Sequence, residues 1–427
     1  MIMNDYLLSA FMFLLAVTGS CGHTKNISQH NAFDTTADAV ENDITAENID
    51  TILFPAKENS VYQIKKDFDL GGKTYLLPKG VTIKRKKGVI KNGTLIGSDT
   101  KIEGILPVFD KVTIKGDWIV HDISTKMFKD LSYDNSLRDV MALTNVAVSN
   151  HVEILEGVYY IKLTNNLETG IYIMSNTKVV LDGEIRLKPN GFTNYHVVEL
   201  TGRNCSLNGN GMVIGDKQKH TGTMGEWGMG VDFAKAEKAS VSGITIKDCW
   251  GDCIYVGDES KNVTIENCIL DNGRRQGISI TSADSVWIKD CVISNVSGTA
   301  PQYAIDIEPN ANQTVSNVTV INVRAVNCVG GFEVWGKAKN AKVKNVVFSN
   351  CTSVGTSSKY PILLMAATNI SVENCYVDSN SDYDVLTQEI TSLKVRNNTF
   401  KAKGKKPLNE IQCKKVKILN NQNFIKK

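Results

Sequence analysis

Residues 304–308 read Ala304-Ile305-Asp306-Ile307-Glu308. In an extended strand this alternation sends Ile305 and Ile307 to one face, and Asp306 and Glu308 to the other. Glu333 takes the matching place in Gly331-Phe332-Glu333-Val334, and Asp252 precedes Cys253-Ile254-Tyr255-Val256. Around these acids stand Arg274, Arg275, Gln276, Asp232, Tyr255, Tyr303 and Trp335. Stacked carboxyl groups repel, which raises one pKa and separates an acid from a base. Carboxyl pairs of this kind cleave glycosidic bonds. Arginine forks suit a carboxylate or sulfate, and aromatic faces suit the C–H surface of a sugar. We therefore expect Asp306, Glu308 and Glu333 to be catalytic, with Asp252 assisting. Arg274, Arg275, Gln276, Asp232, Tyr255, Tyr303 and Trp335 are expected to bind substrate. Structural uses compete with these roles: Asp252 can cap the turn Trp250-Gly251-Asp252, and the two arginines can pair with Asp252 or Asp306.

The element that must position these residues is a repeat. Short extended stretches recur from Gly170 onward, among them Gly170-Ile171-Tyr172-Ile173, Gly230-Val231-Asp232-Phe233 and Gly277-Ile278-Ser279-Ile280. Most are followed by a second stretch of the form V-x-I-x-N/D-C. Self-similarity at this spacing marks a solenoid. Period-two alternation with Gly or Asn turns makes it an all-β parallel β-helix. Aligning the first strand of each coil predicts one outward column: Tyr172, Glu199, Asp232, Tyr255, Ser279, Asp306, Glu333 and Leu363. These side chains are expected to project to solvent, with coils roughly 4.8 Å apart.

The rest of the chain falls into zones. Residues 151–427 are assigned to the β-helix. Residues 51–150 form an N-terminal β-rich module with one short helix over Asp134 to Thr144, begun by Asn135-Ser136. Residues 22–50 are polar and read as a tether. Residues 1–21 contain a short apolar run, Tyr6 to Val17, ending in Thr18-Gly19-Ser20-Cys21-Gly22. That run is too short to span a bilayer. It resembles a bacterial lipoprotein signal, which implies export, acylation of Cys21, and an outer-membrane anchor at the cell surface or in the periplasm.

The chain has 427 residues, 42% hydrophobic and 22% charged, enough for a long core. Its net charge is only +3. The C-terminal segment from Lys401 carries nine Lys against one Glu, but Val416 to Asn421 repeats the solenoid pattern, so no nucleic-acid partner is expected. Cys249, Cys268, Cys291, Cys328, Cys351 and Cys375 each follow Asp or Asn. We read them as one buried ladder of reduced thiols at the end of the second stretch.

Gly251-Asp252-Cys253-Ile254-Tyr255-Val256 and Gly277-Ile278-Ser279-Ile280 resemble, in part, the polygalacturonase family of glycoside hydrolases. That family carries G-D-D-C-I-A-I and then G-H-G-I-S-I on a right-handed parallel β-helix. Here Gly251 replaces its first Asp and Gln276 its His, and Trp227-Gly228-Met229 stands in place of its N-T-D. A broader resemblance is to the pectate-lyase-like superfamily of exported bacterial and phage proteins. It rests on Arg274-Arg275-Gln276-Gly277-Ile278-Ser279-Ile280, Gly298-Thr299-Ala300-Pro301 and Ile305-Asp306-Ile307-Glu308-Pro309-Asn310. It implies a right-handed, single-stranded parallel β-helix and a carbohydrate-directed surface.

Three functions follow as expectations. The first is a glycoside hydrolase on an acidic polysaccharide, needing no cofactor. The second is a polysaccharide lyase with Arg275 as base and calcium on Asp252 and Asp306. The third is a non-catalytic glycan binder. A polysaccharide or oligosaccharide is the expected partner in each, and the tether favours a monomer.

Overall fold

The structure, a computed structural model, describes residues 41–43, 57–401 and 408–423. The signal segment with Cys21, and 22–50 apart from Glu41–Asp43, lie outside the described residues. Glu41–Asp43, inside the stretch read as a tether, is a strand paired in parallel with Val61–Ile64.

Each coil of the solenoid contributes three strands. One example is Ile278–Ile280, Ala283–Lys289 and Val292–Ser294, followed in the next coil by Tyr303–Ile307, Thr314–Ile321 and Arg324–Val326. Every strand pairs in parallel with its counterpart one coil away, as Ile278 does with Ile305 and Val292 with Arg324. The third strands form an 11-stranded sheet from Val158–Ile161 to Gln422–Asn423, while the first and second belong to a 21-stranded sheet. Inward Val, Ile, Leu and Phe fill the axis: Val231, Ile254, Ile278, Ile305, Phe332 and Ile362 stack and are wholly buried.

The corners explain the N/D-C motif. Asp248, Asn267, Asp290, Asn327, Asn350 and Asn374 all take positive φ between 54° and 56°. Asn and Asp tolerate this left-handed conformation better than other side chains that carry a Cβ. The cysteine after each turns inward, buried and free. The single ladder we expected is in fact two. Cys268, Cys291, Cys351 and Cys375 precede third strands, whereas Cys249 and Cys328 follow them at the next corner. The motif is alike at both corners because the same left-handed turn is needed at each. The thiols donate to backbone carbonyls, as Cys268 Sγ does to Glu266 O at 3.2 Å.

A second sequence habit, glycine before the first strand, reflects close packing. A Cβ on Gly277 would lie 2.4 Å from Ala304 O, the carbonyl one coil on, and one on Gly331 would lie 2.8 Å from Pro361 O. The N-terminal module also pairs its strands in parallel, Thr82–Arg85 and Phe109–Trp118 both against the long strand Ile90–Gly104. The expected helix is shorter than drawn, Ser136–Met141, with Asn135 at its N-cap and Leu137 and Val140 buried. Among the described residues no helix is long and apolar enough to cross a membrane.

Candidate active site

The pairing register runs Tyr172–Glu199–Asp232–Tyr255–Ser279–Asp306–Glu333–Leu363, one residue per coil. Ile305 and Ile307 sit in the core, so Asp306 between them faces outward. The expectation that this column projects to solvent holds at Tyr172, which is exposed, and is corrected at Asp232, Ser279, Asp306 and Glu333. Asp306 is 1% exposed, Glu333 4%, Asp232 3%, and Asp252 and Gln276 0%. Neighbouring side chains cover them.

The cover is built by a bend. The chain bends at Cys253 and Gly277, just before the first strands of their coils. There Arg275 meets both Asp252 and Ser279, and Gln276 meets Asp306. Gln276 Nε2 donates to Asp306 Oδ2 at 2.7 Å, and the Tyr303 amide donates to Gln276 Oε1 at 2.6 Å. Gln276 was expected to bind substrate; it is wholly buried and instead holds Asp306 in place.

Arg275 is the hub. Its guanidinium lies 3.3 Å from Asp252, 3.5 Å from Glu226 and 3.7 Å from Glu308, and donates to Ser279 Oγ at 3.4 Å. Burial disfavours its charge, yet Asp252, Asp306, Glu308 and Glu226 together hold its pKa above the ordinary value. One cation thus faces five acids when Glu333 is included, and the surplus appears in the titration of Asp306, Glu333, Glu308 and Asp252. Burial, then the charges of Glu333 and Glu308, push Asp306 well above the usual carboxylate range. Burial and Glu308 raise Glu333 to about 8. Glu308 is also raised by burial, against the pull of Arg275. Burial raises Asp252 too, although Arg275 opposes it. Asp306 Oδ1 and Glu333 Oε2 are buried and receive no hydrogen bond. Such oxygens suit carboxyl groups that carry a proton. Glu308 and Glu226, with side chains 34% and 44% exposed, are the acids that solvent reaches.

Other expected site residues lie elsewhere. Arg274 stacks 3.9 Å from the Trp250 ring, whose centroid is also 3.9 Å from that of His220, and it donates to Gly225 O at 2.8 Å. Its guanidinium is committed to that stack, not to the acids. Tyr303 is buried, with its hydroxyl donating to Tyr360 O at 3.0 Å. Tyr255 accepts from Thr281 Oγ1 at 2.8 Å, and burial raises its pKa to about 12. Trp335 is half-buried and pairs with Met365. Asp232 joins His196 and Glu199 in a separate group. Glu226 was missed by sequence reasoning. It lies outside any strand, where alternation is silent, and only its place one coil before the turn of Asp252 could have marked it.

Residues 156–304 and 288–424 match the family described as right handed beta helix region. The chain belongs to this β-helix family. Over 188 residues it is 28% identical to the SPbeta prophage-derived protein YorA of Bacillus subtilis (strain 168), covering 37% of this chain and 32% of YorA. The chain therefore spans about a third of the length of that relative. Among solved structures, this β-helix is similar to a hyperthermoactive exopolygalacturonase from Thermotoga maritima, with 12% identity, a TM-score of 0.45, and coverage of 71% of this chain and 92% of that one. It is likewise similar to an alginate lyase from Paenibacillus sp. str. FPU-7, with 14% identity, a TM-score of 0.44, and coverage of 70% and 99%.

Proposed function

We propose that this protein is an exported, lipid-anchored glycoside hydrolase acting on a polysaccharide at the acid cluster around Arg275. One observation carries the reading: Arg275 holds two solvent-reached acids, Glu226 at 3.5 Å and Glu308 at 3.7 Å, beside Asp306, which burial and the charges of Glu333 and Glu308 push well above the usual carboxylate range. In this arrangement Glu308, raised by burial so that it can hold a proton, protonates the leaving-group oxygen. Glu226, on the other side of Arg275, is the second carboxylate and activates water or attacks the sugar. Arg275 keeps Glu308 and Glu226 in position and limits their repulsion.

The lyase reading is less well supported. It asks Arg275 to act as base, but the surrounding acids hold its proton more tightly. It also asks Asp252 and Asp306 to hold calcium, while both are buried, Asp252 against Arg275 and Asp306 against Gln276, and Arg274 is engaged with Trp250. The same engagement weakens the case for an acidic sugar, so neutral glycans belong in the test. Incubating the purified protein with a panel of acidic and neutral polysaccharides is expected to release reducing ends without unsaturated, ultraviolet-absorbing termini. Unsaturated termini would establish the lyase, and retention of glycan with neither product would establish a binder.

A further inference from the structure

Beyond the acid cluster, the outer column carries a second group. His196 Nδ1 lies 3.3 Å from Glu199 Oε2 and 3.3 Å from Asp232 Oδ2, and the three offered ligand atoms lie within 4.8 Å of one another. Asp232 is 3% exposed, and its other oxygen, Oδ1, has no hydrogen-bond partner. A buried carboxylate with an unmatched oxygen is costly unless something compensates it. Thr169 Oγ1 donates to Glu199 Oε2 at 3.0 Å, which orients that carboxylate from outside the group. This is the kind of support that metal-ligating carboxylates receive. The His196 side chain is 26% exposed, so the group is open on one side.

We infer that His196, Glu199 and Asp232 form a binding site for a divalent first-row transition metal such as zinc or manganese. One imidazole and two carboxylates, with an open position, suit such an ion better than calcium or magnesium, which favour oxygen donors alone. Glu199 and Asp232 are register partners on adjacent coils, so a bound ion bridges two turns of the helix. The site lies three coils from Asp306, roughly 14 Å along the column at the usual strand spacing. It shares none of its three ligand residues with the acids that surround Arg275.

Calorimetric titration of the full chain with zinc chloride is expected to show one equivalent bound, and calcium chloride much weaker binding. Glu199→Gln and His196→Asn are each expected to weaken zinc binding more than about 100-fold, beyond the effect of losing an outer-shell partner. Glu333→Gln, at the other cluster, is expected to leave it unchanged. Circular dichroism confirms that each variant is folded, and two variants at separate ligands guard against one that is not. Zinc binding that survives both substitutions, no zinc binding at all, or calcium bound as tightly as zinc would overturn the assignment.

Discussion

Asp306→Asn is expected to lower turnover on the glycan identified by the panel by about 10²–10⁴-fold, the usual contribution of a proton-transfer group. The fold is expected to survive. Asn is a near-isosteric stand-in for a protonated Asp, and its amide oxygen can still accept from Gln276 Nε2, which now bonds Asp306 at 2.7 Å. What the substitution removes is the titratable carboxyl group beside Glu308, whose charge helps to raise it. Initial rates and thermal melts of both proteins check the pair of outcomes. Wild-type turnover in a folded Asp306→Asn protein would move the chemistry away from this cluster.

The opposite result is expected one residue earlier. Ile305 is wholly buried between Ile278 and Phe332 of the adjoining coils. Ile305→Asp puts an unpaired carboxylate into that stack, at an effective cost of several kcal/mol, on top of the lost burial of the Ile side chain. A typical domain has only about 5–15 kcal/mol to lose. We expect loss of the cooperative melt around these coils, while Ile305→Val costs about 0.5–1.5 kcal/mol. Hydrogen exchange of the flanking strands reads both. Native-like protection in Ile305→Asp would mean that the inward and outward faces have been exchanged.

These two adjacent residues show what the sequence made legible. Alternation alone separated Ile305 from Asp306, and the glycine and Asn/Asp positions marked the turns, so the column was aligned correctly coil by coil. Burial was not legible. It depends on the bend that brings Gln276 over Asp306, and period-two reasoning assumes a straight strand. His196 was hidden because it falls three residues from Glu199 and out of phase with it. Glu226 was hidden for a different reason: it stands in a loop, where position follows the coil beneath and not a local pattern. Arg274 and Arg275 are neighbours in sequence with identical side chains. Only the structure separates them, sending one to Trp250 and the other to the acids. The two cysteine corners were merged because both use the same left-handed turn.

The central claim is that Asp306 and Glu333 keep their protons near neutral pH while Arg275 remains charged beside them. Infrared difference spectroscopy across a pH series, comparing the wild type with Asp306→Asn and Glu333→Gln, measures this directly. The account predicts a protonated-carboxyl stretch at neutral pH that each variant diminishes, with the Glu333 component titrating at about 8. Carboxyl signals that are fully ionised at neutral pH and unaltered by either substitution would contradict it.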